Sequence, residues 1–286
     1  MTPEEYCREK AGRGSNLHYS LLFLALDMRR ALTAVHALQR ELAEVTEKCS
    51  DLDLARRTLA WWRDEIDASF RGTPGHPVGR ALAPAIRSFD LPEPPFHALL
   101  SGMETATALR RYATFDELKA QGEQLAAPLG LLSARILGYR DSRTPEWARA
   151  LTASLWLADL IRDVGEDARR GRIYLPSEDL ARFRVSEADI LNGTESAAFS
   201  ALMAFEVERA RKLLHAALAL LPAADRRPQT PTLILVALAD AILDEIARDG
   251  YRVLKRRVAL TPLRKLWIAW RTERRERRRR RPAMRS

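Results

Sequence analysis

The amino-acid sequence predicts an all-α protein with one main domain, and three observations support this prediction. Apolar residues recur with the helical period along almost the whole chain, and no convincing alternation typical of strands interrupts them. Glycine is sparse, at 13 of 286 residues, and long stretches rich in alanine, leucine, arginine and glutamate favour helix. Proline and glycine cluster at a few breaks, such as residues 72–79 and 91–95.

These breaks and the helical period predict nine long helices and one short helix or turn. Four starts carry a residue whose side chain could cap the helix: Asp27, Ser50, Thr114 and Thr144. The proline at position 128 falls inside one predicted helix, where we expect it to kink or break the helix. The long helices are predicted at 27–48, 52–71, 77–89, 95–111, 115–138, 144–170, 196–220, 230–255 and 262–280, and the short one near 177–183.

Composition and termini exclude several classes of protein. The chain is too apolar, at 47%, to be disordered and too charged, at 30%, to be mostly membrane-spanning. Its longest apolar runs fall short of the roughly 18 residues of a membrane helix, and the N-terminus does not have the pattern of a signal peptide. Cys7 and Cys49 alone predict neither a disulfide framework nor a zinc site. We therefore expect a cytoplasmic protein, with membrane association left open.

Positive charge is concentrated at the C-terminal end of the chain. The net charge is +9, yet residues 264–286 contain eleven basic and two acidic residues, so the first 263 residues are neutral overall. We divide the chain into a domain, 1–262, and a basic tail rich in tryptophan and arginine, 263–286. The tail could make peripheral contact with a membrane, or its tryptophans could pack on the domain while its arginines stay solvated. Nucleic-acid binding is disfavoured because no recognition motif accompanies the tail.

The most informative stretch for chemistry is residues 157–176. Asp159, Asp163 and Asp167 are four residues apart, so one helix face carries all three carboxylates. Stacked carboxylates repel one another, and Mg²⁺ commonly bridges such groups to a substrate phosphate. Donors suited to a diphosphate follow directly: Arg169, Arg170, Arg172 and Tyr174. The alternative is a solvated acidic face that pairs with these arginines.

Residues 161–176, IRDVGEDARRGRIYLP, resemble the second aspartate-rich signature of the squalene/phytoene synthase family, particularly its bacterial presqualene diphosphate synthase branch. Further segments are similar to the family in order and spacing: 17–24, 59–66, 75–84 and 243–254. The resemblance covers roughly residues 3 to 270. It implies a single-domain, all-α isoprenoid synthase fold with a central apolar cavity.

The resemblance also implies an activity, which is the head-to-head joining of two prenyl diphosphates with Mg²⁺ held between two facing acidic motifs. For this chain we expect farnesyl diphosphate as substrate and presqualene diphosphate or squalene as product, with NADPH needed only for squalene. Asp163 and Asp167 are the expected catalytic residues. The expected metal ligands are Asp159, Asp163, Asp167, Glu44 and Glu47, and the expected substrate-binding residues are Arg40, Arg169, Arg172 and Tyr174.

Other positions depart from the family pattern. In the first acidic motif, Ala43 stands where the leading aspartate is expected, although Glu41, Glu44 and Glu47 still rise along one side of the helix. Further departures are His36 and Ala239 at tyrosine positions, Ala106 and Ala108 at aspartate positions, residues 125–127, and Trp156 in place of glutamine. The alternative function is therefore a catalytically impaired paralogue that binds prenyl diphosphate, or that forms a homo- or hetero-oligomer with an active synthase.

Overall fold

Thirteen α-helices and no β-strand make up the part of the chain that the computed structural model describes, residues 1–49, 51–108 and 111–279. This confirms the all-α prediction. In chain order the helices are α1 (Pro3–Lys10), α2 (Asn16–Ser20), α3 (Leu26–Lys48), α4 (Leu52–Arg71), α5 (Pro77–Phe89), α6 (Pro94–Ala108), α7 (Phe115–Leu137), α8 (Thr144–Arg169), α9 (Ser177–Phe183), α10 (Glu187–Leu191), α11 (Ala197–Ala219), α12 (Thr230–Arg248) and α13 (Pro262–Arg278).

The predicted helix ends differ from the observed ones where local turns intervene. The helix predicted at 230–255 ends at Arg248, because Gly250 and Tyr251 both adopt positive φ angles, of 69° and 62°, and turn the chain away. Sequence periodicity did not predict the short helices α1, α2 and α10. Pro128 was predicted to kink or break its helix; it does not break it, since α7 continues through this buried proline. Residues 109–110 and 280, at the ends of two predicted helices, lie outside the described residues.

One of the four predicted caps is confirmed. The Thr114 side chain accepts a hydrogen bond from the Glu117 amide, at 3.3 Å, at the start of α7. The side chain that caps α4 belongs to Asp51 rather than to Ser50, which is not described. Asp27 lies in the first turn of α3, where its charge suits the helix dipole, and not at the cap. Thr144 is the first residue of α8, and its hydroxyl donates to Asp225 instead.

Two hydrophobic cores lie on either side of the α7–α8 pair. The first is built from α1, α3, α4, α5, α6 and one face of α7, and includes Leu38, Leu42 and Phe96. The second is built around α8, α11, α12 and the start of the C-terminal region, and includes Ile161 and Phe199. The two helices that carry the acidic residues, α3 and α8, therefore belong to different cores, and a site between them forms only when both cores are assembled.

A glycine in α8 lets a distant segment approach the acidic residues. A Cβ atom at Gly165 would lie 2.3 Å from the carbonyl oxygen of Val253 and 2.5 Å from that of Leu254, far inside normal contact distance. Only glycine tolerates this backbone approach. The segment that follows α12 is thereby held against α8, and this places Arg257 beside Asp163.

The last described helix, α13, packs on the body through buried residues that include Ile268 and Ala269. Residues 280–286 of the predicted basic tail lie outside the described residues. Among the described helices, none combines the length and the apolar character needed to cross a membrane.

Candidate active site

Asp163 is the most strongly paired carboxylate of the acidic row on α8. The guanidinium of Arg162 donates to both of its oxygens, at 2.8 and 2.5 Å, and that of Arg257 donates to both as well, at 2.7 and 3.2 Å. Burial disfavours the carboxylate, but the hydrogen bonds and charges of the two arginines outweigh burial, so the pKa of Asp163 is lowered. Asp163 is therefore fixed in position and ionised.

Asp159, one turn earlier, is the most exposed carboxylate of the row. Its side chain is 58% exposed and pairs with Arg162 at 2.5 Å. Even so, burial raises its pKa, with the charges of Arg162 and Asp163 acting in opposite directions.

Asp167 differs from both of its neighbours in the row. In the part of the chain that the structure describes, its carboxylate has no hydrogen bond or ion pair with a side chain. Burial and then the charge of Asp163 raise its pKa to about 7, against the lowering effects of Arg170 and Arg172. Glu47 of α3 also raises this pKa, so Asp167 faces that helix. Asp167 is therefore a carboxylate whose ionised form a bound cation would stabilise.

The acidic row on α3 consists of Glu41, Glu44 and Glu47, and the chain's own cations already pair with all three. The ammonium of Lys10, from α1, lies 3.1 Å from a carboxylate oxygen of Glu41 and 3.1 Å from one of Glu44. Arg40 donates to both oxygens of Glu47, at 2.8 and 3.1 Å. Glu41 also accepts a hydrogen bond from the Tyr6 hydroxyl, at 2.6 Å. Both Lys10 and its partners are mostly buried.

Two arginines from the end of α8 connect the two acidic rows. Arg170 lies 3.5 Å from Glu47, and Arg172 donates a hydrogen bond to the main-chain oxygen of Thr46. These contacts join the C-terminal ends of α3 and α8, so the two acidic rows face each other. The Arg172 guanidinium also lowers the pKa of Tyr174, although burial leaves that pKa raised overall.

Aromatic side chains form a wall beside the end of the acidic row on α8. Trp156 meets Tyr174 edge to face, with ring centroids 6.5 Å apart, and Tyr174 stacks on Tyr112 at 6.0 Å. A Cβ atom at Gly122 would lie 2.6 Å from the Trp156 ring, so this indole occupies the space that the glycine leaves on α7. The departure from the family at position 156 therefore puts a large ring between α7 and α8.

A small apolar pocket, with about 30 Å³ of free volume, lies between the start of α7, α8 and α11. Its wall includes Leu157, Leu160 and Ile161, while Asp167, Arg172 and Tyr174 line one side of it. Apolar space is thus directly adjacent to the unpaired carboxylate. A charged group bound at Asp167 and Arg172 would therefore have apolar side chains directly beside it.

Comparison with known proteins identifies this arrangement. A family model described as squalene/phytoene synthase matches residues 11–264. The chain belongs to the squalene/phytoene synthase family. Its relatives include the phytoene synthase of Arthrospira platensis, 33% identical over 276 residues that cover 92% of this chain and 89% of the relative. They also include the 15-cis-phytoene synthase of Synechocystis sp., 32% identical over 93% of this chain and 84% of the relative.

Solved structures agree with this family assignment. The chain is similar to the squalene synthase HpnC from Alicyclobacillus acidocaldarius, with a TM-score of 0.73, 26% identity, and coverage of 87% of this chain and 94% of the other. It also shares its fold with a dehydrosqualene synthase solved with a ligand, with a TM-score of 0.82 at 21% identity over 96% and 97% of the two chains. The isoprenoid synthase fold predicted from the sequence is confirmed, and the family joins prenyl diphosphates head to head in isoprenoid biosynthesis.

The family depends on a divalent metal, and the acidic rows supply the carboxylates that would hold one. Carboxylate oxygens are the ligands that Mg²⁺ prefers, and the unpaired Asp167 lies beside Asp163 and faces Glu47. The carboxylate oxygens of the two rows do not lie as close to one another as the ligand atoms of a preformed metal site. In the described residues, only Asp67, Glu93 and His97, on α4 and at the start of α6, bring three candidate ligand atoms within 4.8 Å of one another. A cation that keeps several waters and shares substrate phosphates suits the looser spacing of the acidic rows.

The structure brings most of the predicted site residues together. Asp159, Asp163 and Asp167 follow one another on α8, and Arg170 and Arg172 join the end of this row to Glu47 and Thr46 at the end of α3. Arg40 pairs with Glu44 and Glu47 on α3, and Tyr174 lines the same pocket as Asp167 and Arg172. Arg169 is the exception, because its guanidinium donates to the main-chain oxygen of Leu254, at 3.1 Å. His36 lies on α3 with a pKa that burial lowers to about 4, so it is neutral at pH 7.

Sequence reasoning missed two cations of the site, Lys10 and Arg257. Lys10 closes a short helix that periodicity did not predict, and Arg257 belongs to a basic run just before the predicted tail. Neither residue stands in a motif. The one available signal was charge balance, since rows of three carboxylates in a folded domain need cations from elsewhere in the chain.

Proposed function

We propose that this member of the squalene/phytoene synthase family joins two molecules of farnesyl diphosphate head to head and releases presqualene diphosphate. The observation that supports the proposal most strongly is Asp167. Its carboxylate is desolvated, lacks a side-chain partner among the described residues, and has a pKa raised to about 7. Such a group is unfavourable in the free protein and becomes favourable when a divalent cation binds, as expected of a site that awaits a metal diphosphate.

Arginines around Asp167 supply the donors for the diphosphate group. Arg170 and Arg172 lie at the junction of the two acidic rows, and Arg40 lies on the opposite side, on α3. Guanidinium groups bind phosphate oxygens with paired hydrogen bonds, which would fix the orientation of the leaving group. Each of these arginines already contacts the facing rows, so little movement is needed to exchange a protein oxygen for a phosphate oxygen.

A bound divalent cation would act as a Lewis acid that stabilises the departing diphosphate. The bond between C1 and the diphosphate oxygen breaks, and the diphosphate leaves with the electron pair. The double bond of the second molecule then bonds to C1, and a proton is lost as a cyclopropane ring closes. The aromatic wall of Trp156, Tyr112 and Tyr174 would exclude water from the carbocation, and its ring faces favour positive charge.

The size of the Trp156 side chain supports a C15 substrate over a longer one. The indole takes up space between α7 and α8 where the family pattern has a smaller glutamine. The relatives named above are phytoene synthases. The chain length of the prenyl substrate is therefore the property to compare between them and this protein. NADPH would be consumed only if the reaction continued from presqualene diphosphate to squalene.

The test is incubation of the purified protein with Mg²⁺ and either farnesyl or geranylgeranyl diphosphate, with and without NADPH, followed by mass spectrometry of the extract. The proposal expects presqualene diphosphate from the C15 substrate and none from Asp163→Ala. Trp156→Leu is expected to raise use of the C20 substrate several-fold relative to C15, whereas Trp61→Ala, at an exposed tryptophan of α4, should leave the ratio unchanged. Preferential use of the C20 substrate by the unmodified protein would overturn the C15 assignment.

A second candidate function is a catalytically impaired paralogue that binds prenyl diphosphate or an active partner synthase. The ion pairs of Lys10 with Glu41 and Glu44 favour it, because an ammonium occupies the first acidic row where the family is expected to hold metal. In that case, farnesyl diphosphate would bind in a calorimeter without forming product. Product formation abolished by Asp163→Ala would exclude this second function.

A further inference from the structure

The rotation of α13 about its own axis is fixed by ion pairs with the body. Two glutamates on its inner face are buried and meet arginines of the segment before α12: Glu276 pairs with Arg226 at 2.8 Å, and Glu273 with Arg227 at 2.9 Å. Ile268, on the same side, is also buried. The opposite side of the helix therefore faces outward.

That outward side carries large apolar residues with no body to cover them. Their exposed fractions are 81% for Leu263, 44% for Leu266, 52% for Trp267 and 45% for Trp270. The spacing of three, four and seven residues from Leu263 places all four on one face of the helix. We call this row the apolar strip. A water-soluble surface rarely gathers two tryptophans and two leucines on one helix face without a partner.

Arginines continue the same face towards the C-terminal end of α13. Arg271 lies over the Trp267 ring and Arg274 over the Trp270 ring, each 5.1 Å from the ring centroid. Both are exposed, as are Arg275, Arg277 and Arg278. The two acids of the helix face inward and pair with Arg226 and Arg227, and also with Arg275 and Arg277 of α13 itself. Arg271, Arg274 and Arg278 are the cations that continue the outward face. In the sequence, Arg280, Arg281 and Arg285 follow.

We infer that α13 docks the protein on an anionic lipid bilayer, with the apolar strip in the interfacial region and the arginines on lipid phosphates. Tryptophan is suited to this region because its ring is apolar and its N–H group is polar. A nucleic acid would account for the arginines but would leave Leu263 and Leu266 without a role. The combination of an apolar half and a cationic half on one exposed face matches a surface-bound helix.

Docking in this orientation would place α13 between the bilayer and the candidate active site. Lys265, on the first turn of α13, donates to the main-chain oxygen of Gly14, and Arg264 pairs with Glu245 at 2.5 Å. Lys265 also lies close enough to Arg162 and Arg257 for their charges, after burial, to lower its pKa. The start of α13 therefore borders the acidic row on α8. This consequence depends on the proposed function, whereas the docking itself does not.

The test is co-sedimentation of the full chain with vesicles of phosphatidylcholine alone or mixed in equal parts with phosphatidylglycerol. We expect binding to the mixed vesicles, weak binding to phosphatidylcholine, and loss of binding in high salt. The double variant Trp267→Ala/Trp270→Ala should weaken partitioning about tenfold. Arg271→Gln/Arg274→Gln should lower the preference for anionic vesicles, because each arginine near the surface contributes to the attraction.

Trp61→Ala is the matched control, because Trp61 is 48% exposed on α4 and is not part of the apolar strip. It should bind mixed vesicles as the unmodified chain does. Circular dichroism checks that all variants keep their helix content. Equal binding by the tryptophan double variant, or no vesicle binding by the unmodified chain, would overturn the inference. Concentration-dependent dimers that only the double variant loses, without vesicle binding, would instead make the strip an interface between copies of this chain.

Discussion

The two acidic rows of the site each carry three carboxylates but differ in how those carboxylates are paired with cations of the chain. On α3, Lys10 and Arg40 compensate the glutamates through close ion pairs. On α8, two arginines hold Asp163 in place, while Asp167 is left desolvated and without a side-chain partner among the described residues. The α3 row pairs with cations of the chain itself, whereas the α8 row contains one carboxylate whose ionised form a bound cation would stabilise.

This difference shows that residue type alone does not identify a metal site. Glu44 and Asp167 are both carboxylates on facing helices, yet one is already bound to an ammonium and the other is not. The cation that distinguishes them comes from α1, which lies outside the segment that matches the family model. A change far from the motif in sequence can therefore alter how the motif binds metal.

The largest expected effect separates the two rows directly. Asp167→Asn should reduce the rate of product formation by about 100-fold or more, because it removes the carboxylate that is available to a metal. Glu47→Gln should cost only about tenfold, since Arg40 and Arg170 already share its charge. Rates measured as release of diphosphate at saturating Mg²⁺ would show the difference.

Glu208→Gln provides the control for these two variants, because Glu208 is an exposed carboxylate on α11 that pairs only loosely with Lys212, at 3.6 Å. Its rate should equal that of the unmodified protein. Equal losses for Asp167→Asn and Glu47→Gln would mean that the two rows contribute alike, contrary to the distinction drawn from their ion pairs.

Removing Lys10 should convert the α3 row into one that needs a metal. Lys10→Met leaves Glu41 and Glu44 partly buried without their ammonium, which we expect to lower the free energy of unfolding by about 2 kcal/mol. Mg²⁺ should then raise the melting temperature of the variant more than that of the unmodified protein. Thermal unfolding with and without Mg²⁺ measures both effects. Lys212→Met, at an exposed ion pair, is the matched control and should show neither; equal stabilisation of Lys10→Met and the unmodified chain by Mg²⁺ would contradict the expectation.

The pH dependence of stability should have opposite signs at Asp167 and Asp163, whose pKa values shift in opposite directions. In the folded chain without metal, the pKa of Asp167 is about 7, above its ordinary value of 3.8, so protonation favours folding and this stabilisation is lost as the pH rises from about 4 to 7. Asp167→Asn should therefore be more stable than the unmodified protein at pH 8, by about 1 to 2 kcal/mol, with little difference at pH 4.

Asp163→Asn tests the opposite sign. Because Arg162 and Arg257 lower the pKa of Asp163, its ionised form favours folding at pH 8, and that stabilisation is lost as the pH falls through the lowered pKa. The Asn variant should be less stable than the unmodified protein at pH 8. Urea unfolding at pH 4 and pH 8, with a chelator present, measures both variants. If both variants changed the free energy of unfolding at pH 8 in the same direction, the contrast between Asp163 and Asp167 would be refuted.

The sequence was sufficient to predict the long helices and the α8 row, but not the short helices α1, α2 and α10 or the pairing of the α3 row. Helical period and the four-residue spacing of Asp159, Asp163 and Asp167 are local properties, and local spacing determines which side chains share a helix face. The partners of those side chains depend on tertiary packing. Lys10 and Arg257 reach the site because α1 packs against α3 and because Gly165 admits the segment after α12. Neither contact leaves a pattern in the nearby sequence.

The smallest expected effect comes from placing an aspartate at position 43, where the family pattern has the leading aspartate of the first acidic motif. Ala43→Asp would place a carboxylate one turn before Glu47 and beside Glu44, on a helix whose acids are already balanced. We expect a gain of only a few-fold in Mg²⁺ affinity in the unmodified background, because Lys10 still neutralises part of the row. Combined with Lys10→Met, the same substitution should raise Mg²⁺ affinity more, since the new carboxylate then joins Glu41 and Glu44 without the competing ammonium of Lys10. Calorimetric titration of Mg²⁺ into the single and double variants measures this coupling. If the two changes were simply additive, Lys10 would not be competing with the metal, and the α3 row would owe its weak metal binding to the missing aspartate alone.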